Sequence, residues 1–317
     1  KIEFKTPWLS FVSSMAILFL ISLSIFFGYF IEERARAAVY FKKGVEFLSR
    51  GDITSSLAEL EKAALTDSNN DRYFRSLAQV RLTEIQNTIS QASSSKDPNI
   101  QTKFQNQISA AIASAQQAVQ LNRLDSQNWR VLASIYENII PFIQGSERFA
   151  FDAYNKTAEY DPKNPSIYAS LGRAELIFAD RLGFLANQPG QAKENIQALK
   201  QAQKTVYEQA VSSLTKAIEL KPDFTDAHFL LAQTYIRQGN MPEAIRRVEA
   251  SKILSPFDIG IAFQLGVLYY QNNQLDNAES EFLRAVSLNP NYSNAHYFLG
   301  LIYSREKNKS RAVEEFE

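Results

Sequence analysis

The chain has 317 residues, 45% of them hydrophobic, and its 34 basic and 34 acidic side chains cancel to zero net charge. A chain of this size buries a sizeable core, and its balanced charge gives no electrostatic footprint for nucleic acid. The absence of cysteine excludes disulfides, cysteine-ligated zinc and thiol nucleophiles.

The first element is apolar. From Trp8 to Ile31 the sequence runs 24 residues without a charge. As a helix this stretch rises roughly 36 Å, against a bilayer hydrocarbon core of about 30 Å. Its apolar side chains leave no polar stripe, Trp8 and Tyr29 sit near opposite ends, and Lys5 and Glu32 bound it, so a membrane-spanning helix is expected. Ala35-Arg36-Ala37 loosely matches a signal cleavage site, but the apolar run is long for a signal sequence and Glu32 and Glu33 interrupt the approach. Ser10 with Ser14, and Ser24 with Gly28, are either incidental or a face where a second helix approaches closely. Arg34, Arg36, Lys42, Lys43 and Arg50 follow the span, yet a folded domain crosses membranes despite such charges, so the side is not fixed. Helix formers then dominate, with no glycine or proline before Gly44, and the apolar helix is expected to continue into the next one.

From Ala37 onward helices recur in pairs. Tyr40, Gly44, Phe47 and Gly51 mark a first helix and its turn, and Ser56, Leu60 and Ala63 a second. Phe74, Leu77 and Ala78 precede Ala111, Ala115 and Ala118 with about 21 extra residues between them. Trp129, Leu132, Ala133 and Tyr136 precede Ala150, Tyr154, Thr157 and Pro162 with about five extra. Tyr168, Leu171 and Gly172 precede Ala210, Leu214, Ala217 and Pro222 with about 26 extra. The extra residues between paired helices are themselves helical in pattern, around "SSKDPNI" and "QPGQAK", so two hairpins are elongated. Lys43, Arg81 and Glu175 stand where the other pairs are apolar, and Ser68 and Arg123 replace the closing proline.

The pattern is most regular at the end. Residues 225–258, 259–292 and 293–317 align without a gap at a period of 34, the last cut short. Leu231-Ala232 with Tyr235, Leu265-Gly266 with Tyr269, and Leu299-Gly300 with Tyr303 mark the first helices. Ala244 and Val248, Ala278 and Phe282, and Ala312 and Phe316 mark the second, and Pro256 and Pro290 close the complete copies. A tiny residue at a helix crossing lets two backbones approach to about 8 Å while a bulky neighbour fills the groove beside it. Proline lacks the amide donor that would continue the helix, whereas Pro242 sits in a first turn, where that donor is not needed.

This pattern resembles the tetratricopeptide repeat, a 34-residue helical hairpin. The resemblance implies an all-α fold, a transmembrane helix followed by an α-solenoid of hairpins wound as a right-handed superhelix. The expected organisation is a membrane helix with its flanks over 1–36 and a repeat superhelix over 37–317. Its hairpins fall at 37–70, 71–125, 126–164, 165–224, 225–258, 259–292 and 293–317. Because it begins at Lys1 and ends inside a helix, the chain is expected to be a piece of a longer protein. Val313 and Phe316 form an apolar edge that further repeats or a cap would cover.

No catalytic constellation emerges. His228 and His296 occupy the same position of two repeats, which points to a shared structural slot, and neither has a second ligand at metal-binding spacing. No glycine-rich phosphate loop is present. No catalytic, cofactor or metal residue is assigned, and this segment is expected not to be an enzyme. In the family the second, fifth, ninth and thirteenth residues of a repeat tend to line a concave surface. Here the fifth positions give Arg130, Ala169, Phe229, Phe263 and Tyr297, and neighbouring positions give Arg173, Gln233, Arg237, Tyr270, Gln271 and Arg305. Aromatic and arginine side chains are strong interface anchors, so this face suits an extended peptide, and a sugar chain equally. The alternative for Phe229 and Phe263 is packing between neighbouring hairpins. The lysine and asparagine clamp with which some family members hold a terminal carboxylate is absent.

Two functions follow. One is a membrane-anchored scaffold that holds a protein or peptide partner in a concave groove. In the other, the order of elements resembles the tail of multi-pass bacterial membrane proteins related to the O-antigen ligase and polymerase family, glycosyl-transferring enzymes whose reacting residues would lie upstream of Lys1. That resemblance implies a bacterial inner membrane, repeats outside the cytoplasm and a glycan or assembly partner.

Overall fold

A computed structural model describes residues 7–92 and 99–317, and its described residues form fourteen α-helices and no strand. The first, α1 (Pro7–Ser49), is one unbroken helix of 43 residues, roughly 64 Å long. Its apolar part is long and apolar enough to cross a membrane, with mean hydropathy 2.2 and, among the described residues, none of that window buried. From Ala37, which is fully buried, the same helix becomes the first arm of a hairpin. The apolar helix and the first repeat helix are thus continuous, as the run of helix formers after Ile31 leads one to expect.

The chain divides into two compact units, residues 1–135 and 136–317. In the first, α1 pairs with α2 (Ile53–Thr66) and α3 (Asp71–Ala92) with α4 (Ile100–Leu121). Ala37, Leu60, Ala63, Tyr73, Leu77 and Val80 make its core, and Phe41 packs on Tyr73 with ring centroids 5.1 Å apart. The helix α5 (Ser126–Ile139) begins in this unit and ends in the second. The second unit continues with α6 (Ser146–Tyr160), α7 (Pro165–Ala186) paired with α8 (Lys193–Leu220), and α9 (Thr225–Arg237) with α10 (Met241–Leu254). It closes with α11 (Ile259–Gln271) paired with α12 (Leu275–Leu288), and α13 (Ser293–Arg305) with α14 (Lys309–Phe316). Second helices also pack on the first helix of the following hairpin, as α2 does on α3, α6 on α7, α8 on α9, α10 on α11 and α12 on α13.

Two hairpins are longer than the rest. The arms of α3/α4 have 22 residues each and those of α7/α8 have 22 and 28, against 13 and 14 in α9/α10. The turn expected at "SSKDPNI" lies mostly outside the described residues. Two glycines stand at tight helix crossings. A Cβ on Gly266 would stand 2.6 Å from Phe282 Cε1, and one on Gly172 2.6 Å from Leu214 Cγ. Second helices end with the backbone N–H of the following residue on the fourth carbonyl back, Lys221 on Ala217, Ser255 on Ser251 and Asn289 on Ala285. The same ending appears at Asp67 on Ala63 and Asn122 on Ala118, where Ser68 and Arg123 stand in place of proline. The second helices therefore end in the same way with or without a proline one residue beyond the cap.

Polar residues at normally apolar positions find two different outcomes. Arg81 is satisfied: its Nη1 donates to the Ala110 carbonyl and Ser114 Oγ, each at 2.7 Å, and its Nη2 to Glu61 Oε1 at 2.6 Å. Glu175 is buried against α8, and its Oε2 has no partner. Burial raises its carboxyl to about 7, against a smaller lowering by a hydrogen bond from Ser213.

Candidate binding groove

The groove lies between successive first helices of the second unit. Phe229 and Gln233 from α9, Val248 from α10, and Phe263, Gln264 and Val267 from α11 line a cavity of about 520 Å³. Helical periodicity explains the convergence. The second, fifth and ninth residues of the repeats starting at 225 and 259 are Asp226, Phe229 and Gln233, and Gly260, Phe263 and Val267, and all six line the cavity. Phe229 keeps 43% of its surface exposed, a large apolar face open to a ligand. Gln233 and Gln264 place amides beside it, and the carboxylates of Asp226 and Asp258 stand in the lining. Asp258 also caps α11 by accepting the Ile261 N–H at 3.0 Å.

Phe263 serves two surfaces. It is half-buried and packs on Phe282, Tyr292 and Phe298 with centroids 5.8, 5.4 and 5.7 Å away, while its remaining edge reaches the groove. Tyr270 packs on Phe298 at 5.4 Å, and the Arg305 guanidinium lies 4.6 Å from the Tyr270 centroid, so these two form a separate cation–π pair. Tyr297 is 55% exposed and lines another cavity, of about 420 Å³, with His296 and Glu315. Gln271 is exposed at the end of α11. Arg130 belongs to the first unit, half-buried on α5, where its carbonyl accepts Ser134 Oγ at 3.0 Å.

Two arginines are committed to acids of this chain. Arg173 donates from Nε to Glu137 Oε1 at 2.6 Å and from Nη2 to Glu137 Oε2 at 3.3 Å, and the Tyr154 hydroxyl donates to the same buried carboxylate. Hydrogen bonding to Glu137 raises the Arg173 pKa further, so it is always charged. Arg237 Nε reaches Asp180 Oδ1 and Oδ2 at 2.8 and 3.0 Å, and its Nη1 reaches Gln233 Oε1 at 3.4 Å. Spacing within one repeat does not reveal these pairings, because the acids come from a different hairpin. Val267, Gln264 and Asp226 were not singled out in the sequence, and Val248 only as a packing residue of a second helix, although Asp226 and Val267 occupy second and ninth positions that the family geometry points inward.

The histidines have structural partners. His228 Nε2 lies 2.8 Å from the Pro222 carbonyl, and His296 Nε2 lies 2.8 Å from the Pro290 carbonyl, in matching turns. His296 Nδ1 also meets Glu315 Oε2 at 2.6 Å, and the Pro290 carbonyl followed by Glu315 raises its pKa. Among the described residues no group of three His, Asp or Glu side chains is placed to hold a metal.

Tetratricopeptide repeat families match residues 206–258 and 263–317. Anaphase-promoting complex subunit 3 of Schizosaccharomyces pombe is 29% identical over 118 residues, 35% of this chain, and the chain spans 17% of that relative's length. Among solved structures, YrrB, described as a TPR protein with an unusual peptide-binding site, is 16% identical with TM-score 0.42, covering 74% of this chain and 95% of its own. MamA from Desulfovibrio magneticus, residues 41 to the end, is 22% identical with TM-score 0.40, covering 58% of this chain and 90% of its own. PilF of Pseudomonas aeruginosa is 14% identical with TM-score 0.45, covering 76% of this chain and 90% of its own. The chain is all-helical and carries tetratricopeptide repeats over residues 206–258 and 263–317.

Proposed function

We propose that this chain is a membrane-anchored scaffold that holds an extended peptide segment of a partner protein in the groove between α9 and α11. The observation that carries the reading is Phe229, a large ring left 43% exposed beside Gln233 and Gln264 in a cavity of about 520 Å³. An exposed aromatic offers apolar contact area, and side-chain amides match the donors and acceptors of an extended backbone. Asp226 and Asp258 favour a peptide with a basic residue beside its apolar anchor. The anchor is α1, whose apolar window has no buried side chain among the described residues. The accessory-tail reading, with glycosyl transfer carried out upstream of Lys1, rests on the order of elements, and the groove's lining favours the scaffold.

The test is selection of peptides from a displayed random library on the full chain, followed by affinity measurement on variants. Phe229→Ala is expected to weaken a selected peptide about 10-fold or more, the loss of one buried aromatic anchor. Tyr297→Ala, outside the groove, is expected to leave affinity unchanged. Equal affinity for wild type and Phe229→Ala would contradict the reading.

A further inference from the structure

We propose that the turn edge of the first unit rests on the lipid bilayer surface, with Leu65 and Leu124 entering the headgroup layer beside the exit of α1. The inference builds on the reading of α1 as a membrane span and adds a second, peripheral lipid contact to it.

The geometry starts from the antiparallel pairing of α1 and α2. Ser56 Oγ donates to the Gly44 carbonyl at 2.8 Å, and further along the pair Arg34 lines a cleft with Asp67, Asn70, Asp71 and Tyr73. The turn from α2 to α3 is therefore level with Arg34. Ile31 ends the uncharged stretch, three residues before Arg34, a rise of roughly 5 Å. That distance falls inside a headgroup layer of about 5–7 Å on each side of the hydrocarbon core. The next turn, from α4 to α5, is fastened alongside. Arg75 Nη1 lies 2.5 Å from Asp125 Oδ2 and 3.6 Å from Asp71 Oδ2, and Asn128 Nδ2 donates to Asp71 Oδ2 at 2.9 Å. Two turns thus share the level at which the chain leaves the membrane.

Their exposed side chains have the composition of an interfacial surface. Leu65 is 82% and Leu124 75% exposed, far more than a packed repeat needs. Arg72 and Arg123 are exposed on the same turns, and Trp129 is half-buried with its indole N–H donating to the Arg123 carbonyl at 2.8 Å. Isolated leucines flanked by arginine and tryptophan suit the boundary between headgroups and acyl chains, where rings and aliphatic groups enter and guanidinium groups meet phosphate. The acids at this edge are partly neutralised within it, since Asp71 and Asp125 meet Arg75.

The absence of native cysteine makes the test direct. The full chain is reconstituted into vesicles of phosphatidylcholine and phosphatidylglycerol with one nitroxide at Ile21→Cys, Leu65→Cys, Leu124→Cys or Thr54→Cys, the last at the opposite end of the first hairpin. Collision with oxygen relative to a water-soluble nickel chelate reports depth. The expected order is Ile21 deepest, Leu65 and Leu124 intermediate and at least about threefold above Thr54 in that ratio, and Thr54 in water. If Ile21 is deep while Leu65 and Leu124 match Thr54, the surface contact is overturned and the span stands. If Ile21 also matches Thr54, the span fails and the contact with it.

Discussion

Glu175 shows what burying one carboxyl between two paired helices implies for stability. Where the position is normally apolar, its carboxyl is buried and raised to about 7 by loss of solvent. Because the folded group holds its proton above the unfolded value of 4.5, stability is fully present below pH 4.5 and declines as pH rises to about 7. At roughly 1.4 kcal/mol per pH unit the loss is on the order of 3 kcal/mol, complete above pH 7. Thermal unfolding followed from pH 4.5 to 8 is expected to show wild-type stability falling relative to Glu175→Gln, and parallel curves would refute the assignment. Gly266 makes the complementary case for size. Alanine is about 1 kcal/mol better than glycine in a helix, yet its Cβ would meet the buried Phe282 ring at 2.6 Å. Phe282 is held by Phe263 and Phe298, so Gly266→Ala is expected to lower stability by roughly 1 kcal/mol net, read by denaturant midpoint. Gly28→Ala, with nothing within 4 Å of its Cβ, is expected not to.

At the scale of elements, the buried Glu137 carboxylate ties α5, α6 and α7 together through Tyr154 and Arg173. Removing the guanidinium leaves that carboxylate buried without its cation. Arg173→Ala is expected to cost about 2–3 kcal/mol, discounted from the fully buried case because Arg173 is half-exposed. Arg173→Lys restores part of it, and an unchanged melting temperature for Arg173→Ala would make the residue free for ligand instead. The helices themselves were legible in the sequence, because tiny residues at crossings recur at helical spacing and survive even where the closing proline does not. The roles of Arg173 and Arg237 were not. Their acids lie 36 and 57 residues away, brought close by hairpin stacking that no local pattern encodes. Phe263 was legible only as a choice between core and groove, and it serves both because a ring on a helix edge has two faces.

For the whole molecule, each unit is built by repeating one contact, a hairpin set against its neighbour, so exposed surface accumulates along a row of first helices. The period is visible in the cavity, since the second, fifth and ninth residues of two successive repeats supply six of its lining residues. Its chemistry came from the amides of Gln233 and Gln264 and from carboxylates whose inward placement depends on the stacking of α9 on α10 and α10 on α11. The most direct measurement of the central claim is amide hydrogen exchange of the full chain with and without a selected peptide. The account predicts added protection confined to α9 and α11, residues 225–237 and 259–271, and lost in Phe229→Ala. Protection concentrated on second helices such as α10 and α12, or unchanged by Phe229→Ala, would contradict it.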